Sequence, residues 1–126
     1  MTPVIQHIAP AHAQVDLARL LRCIAALETG DHMAKIGLHG ERSSWQLTRK
    51  AWNQMSTKPW SDAFDRKIAE GVAGKYLAYL NAELIRRGVC ATPYRLAVCW
   101  RVGLNGIHSD GAMNYGRRCE NLYNEH

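Results

Sequence analysis

The chain contains no run of about 18 apolar residues, the length needed to span a bilayer. With 126 residues, 47% hydrophobic and 21% charged, it reads as one soluble globular domain large enough to bury a core. Its four cysteines, Cys23, Cys90, Cys99 and Cys119, form no C-x-x-C pair, and no histidine stands at zinc-finger spacing. That argues against a structural metal site and leaves disulfides or buried thiols open. A G-x-S-x-G elbow is missing, as is a cysteine beside a His-Asn pair, so nucleophilic peptidase or esterase chemistry has no support. Repeats and low-complexity tracts are also missing. The A-x-A string Ala11-His12-Ala13 is preceded by neither a charged start nor an apolar core, so no signal peptide is expected there.

Sixteen Lys and Arg stand against eleven Asp and Glu, giving a formal charge of +5 and a pI near 9.2. This balance favours acidic partners: nucleic acid, anionic lipid or bacterial wall polymers. The cations are scattered apart from the pairs Arg49-Lys50, Arg86-Arg87 and Arg117-Arg118. Scatter of this kind suits a solvated face better than a nucleic-acid stripe, and no nucleic-acid partner is expected.

Apolar periodicity predicts a mainly helical domain. In VDLARLLRCIAALETG, Leu17, Leu20, Leu21, Ile24 and Leu27 recur at three and four, with Asp16 as N-cap and Gly30 as stop. Residues 31–44 lose that period and carry Gly37, Gly40 and a polar cluster, a pattern suited to a loop or a short β-hairpin. Thr48 caps a short helix through Met55, which Lys58-Pro59 ends. A long helix follows over residues 62–87, capped by Ser61 or Asp62, with Phe64, Ile68, Val72, Tyr76, Leu80 and Leu84 in one i, i+4 line and Gly88 as stop. Gly71 and Gly74 inside it suggest either close packing by another helix or mere tolerance. Thr92-Pro93 opens a further helix ending at Gly103, and MNYGRRCENLY forms the last, with Tyr115, Cys119, Leu122 and Tyr123 on adjoining faces. Residues 1–15 read as an extended leading segment.

Glu28 stands in the last turn of the opening helix, directly before Thr29 and Gly30. There the helix dipole disfavours an ionised carboxylate, and apolar neighbours disfavour it again, so its pKa should rise. A carboxyl protonated near neutral pH is a general acid of the kind that donates a proton to a leaving glycosidic oxygen. On position alone, the plainer reading is that Glu28 points to solvent beside the helix end.

The order of four segments resembles the lysozyme-like superfamily, in particular soluble lytic transglycosylases and goose-type lysozymes. Those proteins have an apolar helix ending in Glu-Ser, a glycine-punctuated stretch leading to Gly-Leu-Met-Gln, a long helix, then Ala-Tyr-Asn-Ala-Gly and a Tyr before the last helix. The counterparts here are Glu28-Thr29, Ser44-Trp45-Gln46-Leu47, the long helix, Cys99-Trp100-Arg101-Val102-Gly103, and Tyr115. Thr29 keeps the hydroxyl of the family's Ser. Arg101 replaces its Asn and Trp100 its Tyr, which changes a neutral sugar contact into a cationic or stacking one.

The resemblance implies Glu28 as the acid or acid/base, Gln46 as a hydrogen-bond partner of substrate, and Tyr115 as a group that orients Glu28 or a sugar. Goose-type enzymes also place an acidic residue in the region that corresponds to Glu41, so the resemblance implies Glu41, in the expected hairpin, as the second carboxylate. Carboxyl groups ~6.5–9.5 Å apart would admit a water and invert, and a gap of ~5–5.5 Å would suit a covalent retaining path. With Glu41 turned away or paired with Arg42 or Lys35, the substrate's own hydroxyl would attack and release an anhydro sugar. Asp31 is the reserve carboxylate. Among the indoles, Trp52 and Trp100 are expected inside and Trp45 nearest the cleft, with Ser44, Trp100 and Arg101 completing the sugar contacts.

The expectation is therefore an α+β, predominantly helical, lysozyme-like fold with a short β-hairpin between the first and second helices, one domain over residues 1–126. Its function would be cleavage of the β-1,4 amino-sugar glycan of peptidoglycan, as a muramidase or lytic transglycosylase, without metal or organic cofactor. A wall substrate implies export to the periplasm or extracellular space, or a phage-encoded protein. The rival expectation is a catalytically inactive module of the same fold that grips glycan or a partner protein.

Overall fold

The structure, a computed structural model, describes residues 14–108 and 110–125; most of the expected leading segment lies outside them. Helix α1, Leu17–Thr29, starts where the Asp16 side chain accepts from Arg19 N. It ends at Gly30, whose φ of 68° lies in the left-handed region that glycine adopts without a Cβ penalty. Its buried face carries Leu20, Leu21, Cys23, Ile24 and Ala25.

Helix α2, Arg49–Met55, is capped by Thr48 as expected, and its Trp52 is fully buried. The long helix is shorter than its apolar line suggested. Trp60–Phe64 forms a 3₁₀ turn, and α3 runs over Arg66–Arg86 with Asp65, not Ser61 or Asp62, accepting from Ile68 N as N-cap. Phe64 is therefore off the helix and exposed, with the Arg42 guanidinium over its ring. Helix α3 buries Ala69, Val72, Ala73, Leu77, Leu80 and Leu84, and both α1 and α4 pack on it. Helix α4, Pro93–Val102, has Thr92 as cap, Pro93 in its first turn and Gly103 as stop. Two 3₁₀ turns, Leu104–Gly106 and Asp110–Ala112, lead to α5, Met113–Asn124.

Close helix packing occurs at Gly116, not at Gly71 or Gly74. A Cβ on Gly116 of α5 would come within 2.8 Å of Tyr94 and Val98 of α4, whereas Gly71 and Gly74 have nothing within 4 Å of that position. Gly74 instead borders an open hollow of about 300 Å³ with Leu17, Leu21, Trp45 and Leu77.

The expected β-hairpin is absent: the described residues contain no strand, only isolated bridges of Arg42 with Ile36 and with Leu47. The reason is local. Ser43 (φ 79°) and Gln46 (φ 53°) both leave the extended region, and tight turns at 37–40 and 43–46 reverse the chain before a ladder can lengthen. The domain is thus helical, with an irregular loop in place of the sheet.

Cys23, Cys99 and Cys119 are buried thiols without disulfides. Burial pushes Cys99 up to about 11 and Cys119 up to about 12, so both behave as small apolar groups at neutral pH. No helix among the described residues is long and apolar enough to cross a membrane.

Candidate active-site cleft

The loop over 30–48 is tied to the end of α1 by its own polar groups. Thr29 Oγ1 donates to Ser44 O at 3.0 Å and accepts from His32 N at 2.8 Å, fixing the loop at both ends of its path. Trp45 Nε1 donates to Leu21 O and Trp100 Nε1 donates to Trp45 O, each at 3.0 Å, pinning the loop between α1 and α4. Gln46 Nε2 donates to Ser43 O and Lys35 O, and Glu41 Oε1 accepts from His39 N. The Gln46 and Glu41 side-chain oxygens converge where a Cβ on Gly37 would stand, so glycine permits their approach.

These ties frame a cleft of about 490 Å³ whose lining includes Glu28, Glu41, Gln46, Trp100 and Arg101. Five of the eight candidate residues thus meet in one depression. A hollow of about 450 Å³ near Leu17, Asn81 and Ile85 has no carboxylate, imidazole or basic group in its lining, so convergent chemistry lies in the cleft.

The Glu28 side chain is only 7% exposed, while its partner Arg101 is 56% exposed. Arg101 Nη1 donates to Glu28 Oε1 at 3.2 Å, and its guanidinium lies 5.3 Å from the centre of the Tyr115 ring. Burial pushes the Glu28 carboxyl above the usual range. The Tyr115 hydroxyl and the charge and hydrogen bond of Arg101 pull it back, while Glu41 adds a smaller upward push. Tyr115 Oη is itself buried and faces Glu28 closely enough to act on it, yet no hydrogen bond of good geometry closes between them. Burial, with the Glu28 charge second, raises the Tyr115 phenol, which stays neutral and able to donate.

Trp45 is 2% exposed and packs in the core, not in the cleft; its indole N–H is already committed to Leu21 O. Trp100, expected inside, lines the cleft instead. The exchange follows from the loop's path, which sends residue 45 inward beneath Arg66 and leaves Gln46 at the cleft. Ser44 is likewise buried, and its hydroxyl has no partner of good geometry, although it lies near enough to Asp31 to favour that carboxylate. Asp31 is bonded to Arg66 at 2.7 Å, which holds its carboxyl below the usual range and disqualifies it as an acid. Arg42 does not pair with Glu41: it donates to Trp60 O and stacks on Trp60.

Sequence reasoning missed Lys35, Leu38, His39 and Thr48 as cleft-lining residues. Leu38, an apolar side chain 93% exposed at the cleft, had no periodic neighbours to flag it. No protein-family model, curated protein or solved structure matches the chain, so the functional reading rests on the geometry of the cleft and the motif order.

Proposed function

We propose that the protein cleaves β-1,4-linked amino-sugar glycan of the peptidoglycan type, with Glu28 as general acid. The observation that carries this reading is a nearly buried carboxyl, pushed upward by desolvation, that lines a cleft together with a second carboxylate and a side-chain amide. Glu28 gives its proton to the glycosidic oxygen as the bond from that oxygen to the anomeric carbon breaks. The positive charge that develops on the sugar ring is then met in one of two ways. Either water attacks the anomeric carbon and gives its proton to Glu41, or a hydroxyl of the same sugar attacks and returns its proton to Glu28, closing an anhydro ring. Gln46, fixed by two carbonyls through its amide nitrogen, keeps its oxygen to accept a hydrogen bond from a sugar hydroxyl or amide.

Incubation of purified peptidoglycan, and separately of chitin oligomers, with the parent and with Glu28→Gln tests this. Loss of a general acid should cut turnover by about 10²–10⁴-fold. Product mass then separates hydrolysis from anhydro-sugar formation, and unchanged release by Glu28→Gln would refute the assignment.

A glycan-binding module without turnover is the second reading, and the Arg101–Glu28 ion pair favours it, because a paired guanidinium works against burial and toward the charged carboxylate. Binding of either glycan by both proteins, with no product from the parent, would select it.

A further inference from the structure

Beyond Arg101 the cleft adjoins a second groove of about 520 Å³, the two sharing Thr48, Trp100 and Arg101 in their linings. The character changes at that boundary. Glu28 and Glu41 face the cleft, whereas the groove's lining has no carboxylate and carries Lys50, Arg87 and Arg101. Its aromatic residues form a row: Trp100 and Tyr76 have ring centres 5.2 Å apart, and Tyr76 stacks on Tyr79 at 6.2 Å with 16° between their planes. The side-chain amides of Gln54 and Asn105 also border it.

We propose that this groove is the subsite for a carboxylate-bearing sugar residue of the glycan, with the ring over the Trp100–Tyr76–Tyr79 row and the carboxylate among Lys50, Arg87 and Arg101. The proposal rests on the glycan-cleaving reading above for the class of polymer. Stacking a sugar's C–H face on an aromatic ring buries apolar surface without demanding a hydrogen bond, and amides at the border suit hydroxyl and acetamido groups. Lys50 and Arg87 are the more available of the three cations, Arg101 being paired with Glu28. Glu83 takes Arg86 by two bonds of 2.8 and 2.9 Å and Arg87 at only 3.6 Å, so Arg87 is the more loosely held. Lys50 is exposed and makes no salt bridge among the described residues. A nucleic-acid strand, the other anionic polymer with flat groups to stack, fits less well: its next phosphates would run into the cleft of Glu28 and Glu41. Seating a carboxylate beside Arg101 also gives that guanidinium an alternative to Glu28, coupling substrate charge to the freeing of the acid.

The test is calorimetric binding to the Glu28→Gln protein, so that the ligand survives. The probes are chitotetraose, an alternating tetrasaccharide of N-acetylglucosamine and N-acetylmuramic acid, and the same tetrasaccharide with its lactyl carboxyls amidated. The carboxylated form should bind about tenfold tighter than the amidated form at low salt, and that advantage should shrink as screening shortens the reach of the charges. A Lys50→Ala/Arg87→Ala double variant in the same background should erase most of the advantage while leaving the amidated form and chitotetraose unaffected. Equal affinity for both tetrasaccharides, equal loss for both in the double variant, or tighter binding of a single-stranded DNA 12-mer would overturn the proposal. Parallel turnover by the parent protein keeps the two readings apart. Charge-dependent binding without turnover sinks the glycosidase and spares the subsite, whereas turnover without charge preference does the reverse.

Discussion

The helices and the loop between α1 and α2 are held by different forces. Leu20, Ile24, Leu77, Leu80, Leu84 and Leu96 are fully buried, so the helical body is stabilised mainly by apolar area removed from water. The loop exposes Ile36 and Leu38, sends Trp45 and Leu47 into the core, and is otherwise positioned by polar contacts from Thr29, Trp45, Gln46, Glu41 and Trp100. Glu28 sits at their junction, in the last turn of a helix anchored by its buried residues Leu20 to Ala25 and beside a wall positioned by hydrogen bonds. A cleft built this way can change its lining without unfolding the domain. The body, by contrast, tolerates little change of volume.

The largest effect that sharpens this contrast is expected in the body. Leu80→Ala removes a fully buried side chain from the middle of α3 and should cost about 2–5 kcal/mol of unfolding free energy in urea titration. A cost below about 1 kcal/mol would mean that α3 is not the core element its burial indicates.

Next comes the approach of α4 to α5. Gly116→Ala places a methyl group within 2.8 Å of Tyr94 and Val98 and should cost about 1–3 kcal/mol. Gly74→Ala, with open space at its Cβ position inside a helix, should instead gain about 0.5–1 kcal/mol. If both changes stabilised, the helix contact at Gly116 would be looser than described.

These two glycines show where the sequence was legible. Caps at Asp16, Thr48 and Thr92, stops at Gly30 and Gly103, and the helices between them follow from local rules, because a cap or a left-handed glycine acts within one turn. Whether a glycine faces another helix depends on tertiary packing that no local pattern carries, so Gly71 and Gly74 drew attention that belonged to Gly116. The same limit explains the loop. Two glycines in a polar stretch suggested a hairpin, but Ser43 and Gln46 take the left-handed region in a tight turn of their own, and that turn is tied to α1 by the bond of Thr29 Oγ1 to Ser44 O, a contact distant in sequence. At the cleft, the motif order pointed to Glu28, Glu41, Gln46 and Arg101, which line one depression, whereas Trp100 was expected inside. The inward turn of Trp45 and Ser44 was not legible, since adjacent residues on an irregular loop follow neither a helical nor a strand period.

On the loop side, Thr29→Val keeps the shape of the side chain and removes the bonds to Ser44 O and His32 N, at an expected cost of about 1–2 kcal/mol. Hydrogen exchange should accelerate over the amides of 32–47 before those of α3. Uniform acceleration throughout would show that loop and body unfold as one unit, removing the distinction drawn between them.

The smallest effect concerns Glu28 itself, where relief of desolvation is partly offset by loss of the Arg101 ion pair. Because burial raises its folded-state pKa, the native protein holds the proton more tightly than the unfolded chain does. The stability this contributes is fully present below the ordinary glutamate value of about 4.3, and is lost as pH rises through the higher folded value. Glutamine mimics the neutral form at every pH. Urea unfolding should therefore find the stability difference between Glu28→Gln and the parent shifting in favour of glutamine from about pH 4 to pH 7.5. A shift toward the parent over the same interval would mean that Arg101 outweighs burial, leaving an ionised carboxylate at the helix end and favouring the binding module over the enzyme.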